Sequence, residues 1–270
     1  QEAQPEVQAD ARNPMLPIDL AENGGFLFRV RSFDKRIALE IFHALTDGTG
    51  GMTFLLTLAA EYLRLKHGLR VPEAPLILDT RDEPQREEWE DAFLRYARDE
   101  ARPFGEDTAW HLKGTRESHS YLRLTTGVIS TQALVDLAKS RKTTVNSLLA
   151  AILLKALIAA RKSSRPKGNR PVKLSLPVNL RRYYSSRTLR NFSSFVNVPV
   201  HADYGEYSLD DLIKLVTHFM GIETLEPMIN ARFSANVKAE QMRIIRAMPL
   251  FIKSAVLKFV YRTKGVNYMT

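Results

Sequence analysis

Residues 36–65 read RIALEIFHALTDGTGGMTFLLTLAAEYLRL, an alternating apolar run that leads through one histidine into a long apolar segment. The alternation from Arg36 to His43 predicts a β-strand. From Met52 to Lys66 the apolar residues recur every three to four positions, which predicts a well-buried α-helix. His43 therefore lies where a strand ends and a helix approaches, and side chains at such junctions commonly project into clefts.

A second strand is predicted immediately before this run. Gly24 and Gly25 precede an alternating segment from Phe26 to Arg31, and residues 32–35 have the composition of a turn. The two strands are expected to form an antiparallel hairpin with His43 at its far end. Residues 1–20 are polar and rich in proline, and are predicted to be an irregular leader.

The segment HALTDG, residues 43–48, has a composition suited to acyl-transfer chemistry. A histidine can act as a base near neutral pH, so His43 is a candidate general base. Asp47 can lock the turn, and Gly48 allows a substrate or a backbone segment to come close. Two plainer interpretations remain open: His43 as a strand-end histidine bonded to a neighbouring carbonyl, and Asp47 as a turn residue that caps the next helix.

The rest of the chain alternates helical and strand patterns. Residues 72–120 are punctuated by prolines and densely charged, which predicts a crossover segment. Ser130 and Thr144 are candidate helix caps. The predicted elements are a short helix at 87–98, a strand at 121–129, helices at 131–141 and 145–161, strands at 171–178 and 191–201, and helices at 209–225, 227–247 and 250–262.

Composition limits the classes of function. With 270 residues and 44% hydrophobic residues, the chain is large enough for two lobes, and no segment approaches eighteen uninterrupted apolar residues. The absence of cysteine excludes disulfides and thiolate catalysis, and is typical of a reducing compartment, so a cytoplasmic location is expected. No spacing of histidines and carboxylates indicates a metal site, and none is predicted.

The chain is basic, with a net charge of +9 and a pI near 9.7. The basic residues are spread along the sequence, and no RNA-binding aromatic motif, zinc-finger spacing or basic heptad helix accompanies them. A nucleic-acid partner is therefore not expected. The charge suits an anionic thioester cofactor or an acidic carrier protein equally well.

Two further stretches connect the histidine segment to a known family. LPVNLR occupies residues 176–181 and TLRNF residues 188–192, about 130 residues after HALTDG. Together the three segments resemble the chloramphenicol-acetyltransferase-like superfamily, in the branch of alcohol acetyltransferases and nonribosomal peptide synthetase condensation domains. The resemblance implies an α/β fold (an α+β sandwich) of two similar lobes. Residues 1–115 would be the C-terminal part of the first lobe and residues 116–270 the N-terminal part of the second, both incomplete.

The resemblance also implies an activity: transfer of an acyl group from a coenzyme A or phosphopantetheine thioester to a small alcohol or related acceptor (EC 2.3.1.-), with no resident cofactor. His43 would be the general base, and Gly48 would allow close approach of the pantetheine. Asp47 would be structural and pair with an arginine, Arg181 by preference and Arg190 as second choice; the alternative for Arg181 is a solvated place in a basic loop. The remaining candidates for the tunnel wall or an oxyanion donor are Thr46, Asn191 and Asn197.

Three departures from the family pattern modify this picture. Phe42 stands where condensation domains carry a first histidine, which favours a stand-alone acyltransferase over a peptide-bond former. The family's N-terminal strands and the last strands of the second lobe are not found, which predicts that the chain is the middle of a longer enzyme and raises the alternative that it is inactive alone. Two other interpretations stay open: a condensation-type domain fed by an acyl or peptidyl carrier protein, and a non-catalytic relative.

Overall fold

The computed structural model of the protein describes residues 4–11, 16–72, 74–99, 107–115, 117, 121, 122, 124–243 and 247–260. They form two compact units whose segments interleave along the chain. Unit 1 comprises Gln1–Ala92, Thr115–Thr126 and Asn179–Ser193. Unit 2 comprises Phe93–Gly114, Gly127–Val178 and Ser194–Thr270. The mixture of helices and sheets confirms the predicted α/β class, whereas the lobe boundary near residue 115 stays a prediction.

Unit 1 contains a three-stranded sheet in the order β1-β2-β3, formed by β1 (Val7–Ala9), β2 (Phe28–Phe33) and β3 (Arg36–Ile41). Strands β2 and β3 are antiparallel, as predicted. The turn that joins them is Asp34 and Lys35, shorter than the predicted 32–35, because Ser32 and Phe33 still pair with β3. The register pairs Phe28 with Ile41, so His43 follows two residues beyond the far end of the hairpin. The strand β1, parallel to β2, falls in the predicted irregular leader; a three-residue strand is too short for its alternation to be recognised.

The helix α1 (Gly48–His67) follows the hairpin and lies in unit 1. It begins earlier than predicted because Asp47 provides an N-cap, which sequence periodicity alone does not register. It ends where Gly68 adopts a left-handed conformation at φ 65°, with its N–H bonded to the Arg64 carbonyl. The sequence TDGTGG thus starts the helix, and a glycine stops it.

Residues 179–193 belong to unit 1, although they lie far along the chain from its first segment, residues 1–92. Leu180–Arg182 forms one turn of 3₁₀-helix, and the following loop is attached to residues 86–92. The Leu189 N–H donates to the Glu88 carbonyl at 2.6 Å, and the Thr188 hydroxyl donates to the Glu90 carbonyl at 2.8 Å. These bonds hold the loop in place although about 100 residues separate their partners.

Unit 2 is mostly helical. Its elements are α2 (Ala92–Tyr96), α3 (Thr131–Ser140), α4 (Val145–Ser163), β4 (Val172–Asn179), β5 (Ser193–Val200), α5 (Leu209–Glu223), α6 (Glu226–Gln241) and α7 (Leu250–Val260). The end residues Ala92, Asn179 and Ser193 of these elements are counted in unit 1. Helix α4 packs against α5, and β4 pairs with β5. The core contains fully buried aliphatic side chains, among them Leu148, Leu154, Val198, Leu212 and Val216.

Two predicted elements are wrong in the described residues. The segment 121–129 contains no strand at its described positions, and Tyr121, Leu124 and Val128 are 52%, 66% and 94% exposed. Alternation favours a strand only where a neighbouring strand supplies the hydrogen bonds and a core covers one face. The predicted helix at 87–98 is instead a 3₁₀ turn, Arg86–Glu88, and the short helix α2.

In the described part of the chain, no single helix is both long enough and apolar enough to cross a bilayer. The bent pair α3 and α4, whose axes differ by 85°, meets the requirement only when the two helices are counted together.

Candidate active site

Asp47 organises the centre of unit 1. It is only 6% exposed, and both of its carboxylate oxygens are used. Oδ1 accepts from the N–H groups of Thr49 at 3.0 Å and Gly50 at 3.2 Å, which caps α1. Oδ2 accepts from Arg181 Nη1 at 2.7 Å and from the Phe192 N–H at 2.8 Å. One carboxylate therefore joins the start of α1 to the segment 179–193.

Arg181 completes this connection from the other side. Besides the ion pair with Asp47, its Nε donates to the Thr188 carbonyl at 2.8 Å and its Nη2 to the Arg190 carbonyl at 2.7 Å. Its side chain is 11% exposed. The Arg190 side chain is 53% exposed and lies 3.9 Å from Asp91 instead. The partner of Asp47 is thus Arg181, and both residues belong to unit 1.

The backbones of α1 and the segment 179–193 touch at Gly50. The Thr46 hydroxyl donates to the Leu189 carbonyl at 2.5 Å, directly beside this glycine. A Cβ at position 50 would lie 2.1 Å from Thr46 Oγ1 and 2.2 Å from Leu189 O. Glycine weakens a helix interior, so its presence here indicates a close approach that no larger residue permits. The sequence-based prediction overlooked Gly50, although this unfavourable helix residue was the available signal.

We expect Gly50→Ala to destabilise unit 1 by about 1–3 kcal/mol, since the added carbon overlaps a backbone carbonyl. Thermal and urea unfolding measure the loss. Gly51→Ala is the matched control, because its added carbon would meet Ile41 Cδ1 at an ordinary 3.6 Å. Equal melting temperatures for the two variants would contradict the close packing at Gly50.

His43 lies in the turn between β3 and α1 and is exposed to solvent. Its nearest described polar partner is Asn191, whose Nδ2 lies 3.3 Å from His43 Nδ1 and 3.3 Å from the His43 carbonyl oxygen. Ser193 Oγ in turn donates to Asn191 Oδ1 at 3.0 Å. The structure therefore brings Asn191 beside the candidate base.

Two open cavities in unit 1 include His43 in their walls. The first, about 340 Å³, is also lined by Thr46, Asp47 and Gly48. The second, about 730 Å³, lies along the outer part of β3 and includes Arg29 and Phe42. A ligand in either cavity has access to the imidazole ring.

The contacts of the other residues predicted from the sequence, Gly48, Thr46 and Asn197, give less support for a direct role in the site. A Cβ at Gly48 would meet no atom within 4 Å, so no protein contact demands glycine there, and its role toward a ligand stays a prediction. The Thr46 hydroxyl is committed to the Leu189 carbonyl, so an oxyanion role would require that bond to break. Asn197 lies on β5 in unit 2 and is 4% exposed.

Asp47 is held in its ionised form. Burial raises the pKa of this carboxyl, but the hydrogen bonds from Arg181, Phe192 and Gly50, together with the Arg181 charge, outweigh burial and bring the pKa below the ordinary value of 3.8. A carboxylate with a lowered pKa and four hydrogen bonds is suited to holding structure and unsuited to proton transfer. These contacts agree with a structural role for Asp47, which stays a prediction.

This lowered pKa predicts a pH dependence of stability. A carboxyl with a depressed pKa in the folded state stabilises the protein above its unfolded pKa, and that contribution is lost as the pH falls through the folded value. The stability difference between the wild type and Asp47→Asn should thus be constant above about pH 5 and shrink below pH 4. Urea unfolding at a series of pH values measures it, and a difference unchanged at pH 3 would contradict the assignment.

One family model matches part of the chain. Residues 114–186 match the family described as "Phthiocerol/phthiodiolone dimycocerosyl transferase C-terminus". The matched residues include the LPVNLR segment, and the match supports the resemblance inferred from the sequence. The histidine segment lies outside the matched residues.

Two of the solved structures that match are described here by their similarity alone. One is the first condensation domain of the CDA synthetase, with a TM-score of 0.42 and 16% identity over 76% of this chain and 45% of that chain. The other is the SgcC5 protein from Streptomyces globisporus, in complex with (R)-(-)-1-(2-naphthyl)-1,2-ethanediol and sucrose, with a TM-score of 0.37 and 18% identity over 80% of this chain and 49% of that chain. The chain spans about half the length of both. Comparison with curated proteins produced no match.

Proposed function

We propose that this chain carries the catalytic histidine of an acyltransferase. The transferred acyl group comes from a coenzyme A or phosphopantetheine thioester, and an alcohol or related small molecule accepts it. The observation that carries the proposal is the position of His43, exposed on a cavity wall at the end of a turn whose other end is fixed by the buried Asp47–Arg181 ion pair. The family match supports a domain of the condensation and acyltransferase type.

The rigidity of this turn supports a role in general base catalysis. Asp47 makes four hydrogen bonds, and four residues earlier His43 is exposed, with Asn191 beside its ring. A base must be held within reach of the proton that it removes, and a turn anchored at one end achieves this while leaving the ring free to contact a substrate.

The proposed reaction involves one proton and one acyl group. The His43 imidazole removes the proton from the acceptor hydroxyl as its oxygen attacks the thioester carbonyl. The new C–O bond forms, the C–S bond breaks, and the imidazolium returns the proton to the departing thiolate. Base catalysis of this kind contributes typically 10²–10⁴-fold to the rate.

The positive net charge favours an anionic donor without distinguishing its two sources. The phosphates of coenzyme A and the acidic surface of a carrier protein are both attracted to a basic protein. The full native protein should therefore be assayed for thiol release with acyl-coenzyme A and with acyl-carrier protein, each with a panel of alcohols and amines.

The outcomes separate the alternatives. Acceptor-dependent thiol release from acyl-coenzyme A supports a stand-alone acyltransferase. Release only from the carrier-bound donor supports a condensation-type domain. No release with any donor and acceptor pair, from folded protein, favours a non-catalytic relative.

A further inference from the structure

The cavity of about 730 Å³ in unit 1 contains His43 and two other charged or titratable side chains, Arg29 and Glu40, in one wall. The rest of the lining is apolar and comes from the hairpin and from the segment before it, with Leu16, Ile18, Leu27 and Phe42 among its members. An apolar wall with a few placed polar groups is typical of sites for small organic ligands, and the volume lies within their range.

Arg29 and Glu40 belong to a buried cluster of charged groups. Arg29 Nε donates to Glu40 Oε2 at 2.9 Å, and Arg31 Nε lies 3.4 Å from Glu40 Oε1. The three side chains are only 10%, 11% and 11% exposed. The neighbouring Asp10 pairs with Arg36, which adds no net charge. One carboxylate therefore faces two guanidinium groups, and the cluster of these three residues carries one positive charge in excess.

Arg29 has one nitrogen available to a ligand. Its Nε is bonded to Glu40, and its Nη2 donates to the Leu16 carbonyl at 2.6 Å. Its Nη1 donates to no residue in the described part of the chain, and Arg29 lines the cavity. A guanidinium group held by two other bonds is already oriented, and hydrogen bonds from such a cation to an anionic oxygen are short and strong.

The size of the excess charge favours one class of anion. A buried charge without a counter-charge is costly, so an anionic group that enters the cavity is stabilised by the cluster. A carboxylate brings a single negative charge, which matches the excess. A phosphate monoester brings nearly two at neutral pH, which exceeds it.

We propose that the 730 Å³ cavity binds an organic acid, with its apolar body against Phe42 and the segment before the hairpin and its carboxylate on Arg29. Given the proposed function, on which this step rests, the acceptor is then a hydroxy acid whose hydroxyl group faces His43 within the same cavity. Binding of the carboxylate depends on Arg29 and not on the chemistry at His43, so it can be measured without turnover.

The first test compares hexanoate with hexanamide, which has nearly the same shape and no charge. Ligand-observed NMR titrations use the full native protein in high salt, which screens the general attraction of an anion to a basic protein. Hexanoate should bind about 10–100-fold more tightly, the usual effect of a hydrogen bond to a charged group. Equal affinities would overturn the proposal. Tighter binding of hexyl phosphate than of hexanoate would overturn the assignment to a carboxylate.

Two arginine variants locate the effect. Arg29→Gln should weaken hexanoate binding to the level of hexanamide and leave hexanamide binding unchanged, whereas a purely structural role would affect both ligands alike. Arg36→Gln is the matched control, because this arginine also pairs with a carboxylate but is 68% exposed and lies outside the cavity wall. A preference for hexanoate that persists in Arg29→Gln would place the carboxylate elsewhere. The comparison of the two ligands on the wild type stands even if a variant does not fold.

Failure of this inference can be told from failure of the proposed function. Thiol release is measured with a series of ω-hydroxy acids and with their amides as acceptors, and the KM of each acid should be lower than that of its amide. Turnover without this preference, together with equal binding of hexanoate and hexanamide, would leave the acyltransferase standing and remove the carboxylate site. Selective binding of hexanoate to a folded protein that turns over no acceptor would establish the organic-acid site and remove the catalytic role.

Discussion

Arg181→Ala should lower the free energy of unfolding by about 3–5 kcal/mol, the usual consequence of removing one partner of a buried ion pair. The Asp47 side chain is 4% exposed and that of Arg181 is 11% exposed, so water cannot replace the lost cation. The substitution also leaves the carbonyls of Thr188 and Arg190 without their guanidinium donor. Urea denaturation and thermal melting measure the loss.

The matched control for this prediction is Arg190→Ala. Its guanidinium is 53% exposed and lies 3.9 Å from Asp91, an arrangement worth about 0–1 kcal/mol. Arg181→Lys is a second control: it keeps the charge and loses the planar set of donors, so its stability should fall between those of the wild type and Arg181→Ala. An Arg181→Ala protein as stable as Arg190→Ala would show that the ion pair does not hold the site together.

His43→Ala should reduce acyl transfer by about 10²–10⁴-fold, because the acceptor hydroxyl then lacks a positioned base. Stability should change by less than about 0.5 kcal/mol, since the ring is exposed and anchors no part of the core. Initial rates of thiol release measure the loss of activity, and a thermal melting curve of the same variant measures any change in stability.

Added imidazole provides a specific readout for this variant. If His43 acts as a base, free imidazole should restore part of the activity of His43→Ala by occupying the vacated space in the cavity. His218→Ala, an exposed histidine on α5 in unit 2, is the control and should keep full activity. Transfer that continues at the wild-type rate in His43→Ala would remove this residue from the mechanism.

Local patterns in the sequence were sufficient for the elements that surround the site. The alternation before His43 predicted the antiparallel hairpin, and the three-to-four spacing after it predicted α1. Each prediction succeeded because the spacing of the apolar residues matches the residue period of the element that they form. The same approach was wrong at 121–129, where the alternation has no sheet to join. It also missed β1, which exists only because β2 offers it an edge.

What the sequence determined by itself was the order of these elements and the position of His43 between a strand and a helix, since both are encoded over short distances. The sequence offered Arg181 first and Arg190 second as the partner of Asp47, and the tertiary structure places Arg181 there. Tertiary structure alone decided that Gly50 is where the backbone of α1 touches Leu189. The partners in these contacts are separated by more than 130 residues, so no local periodicity reports them. They form because a buried carboxylate needs hydrogen bonds and a cation, and only the folded chain brings both to it.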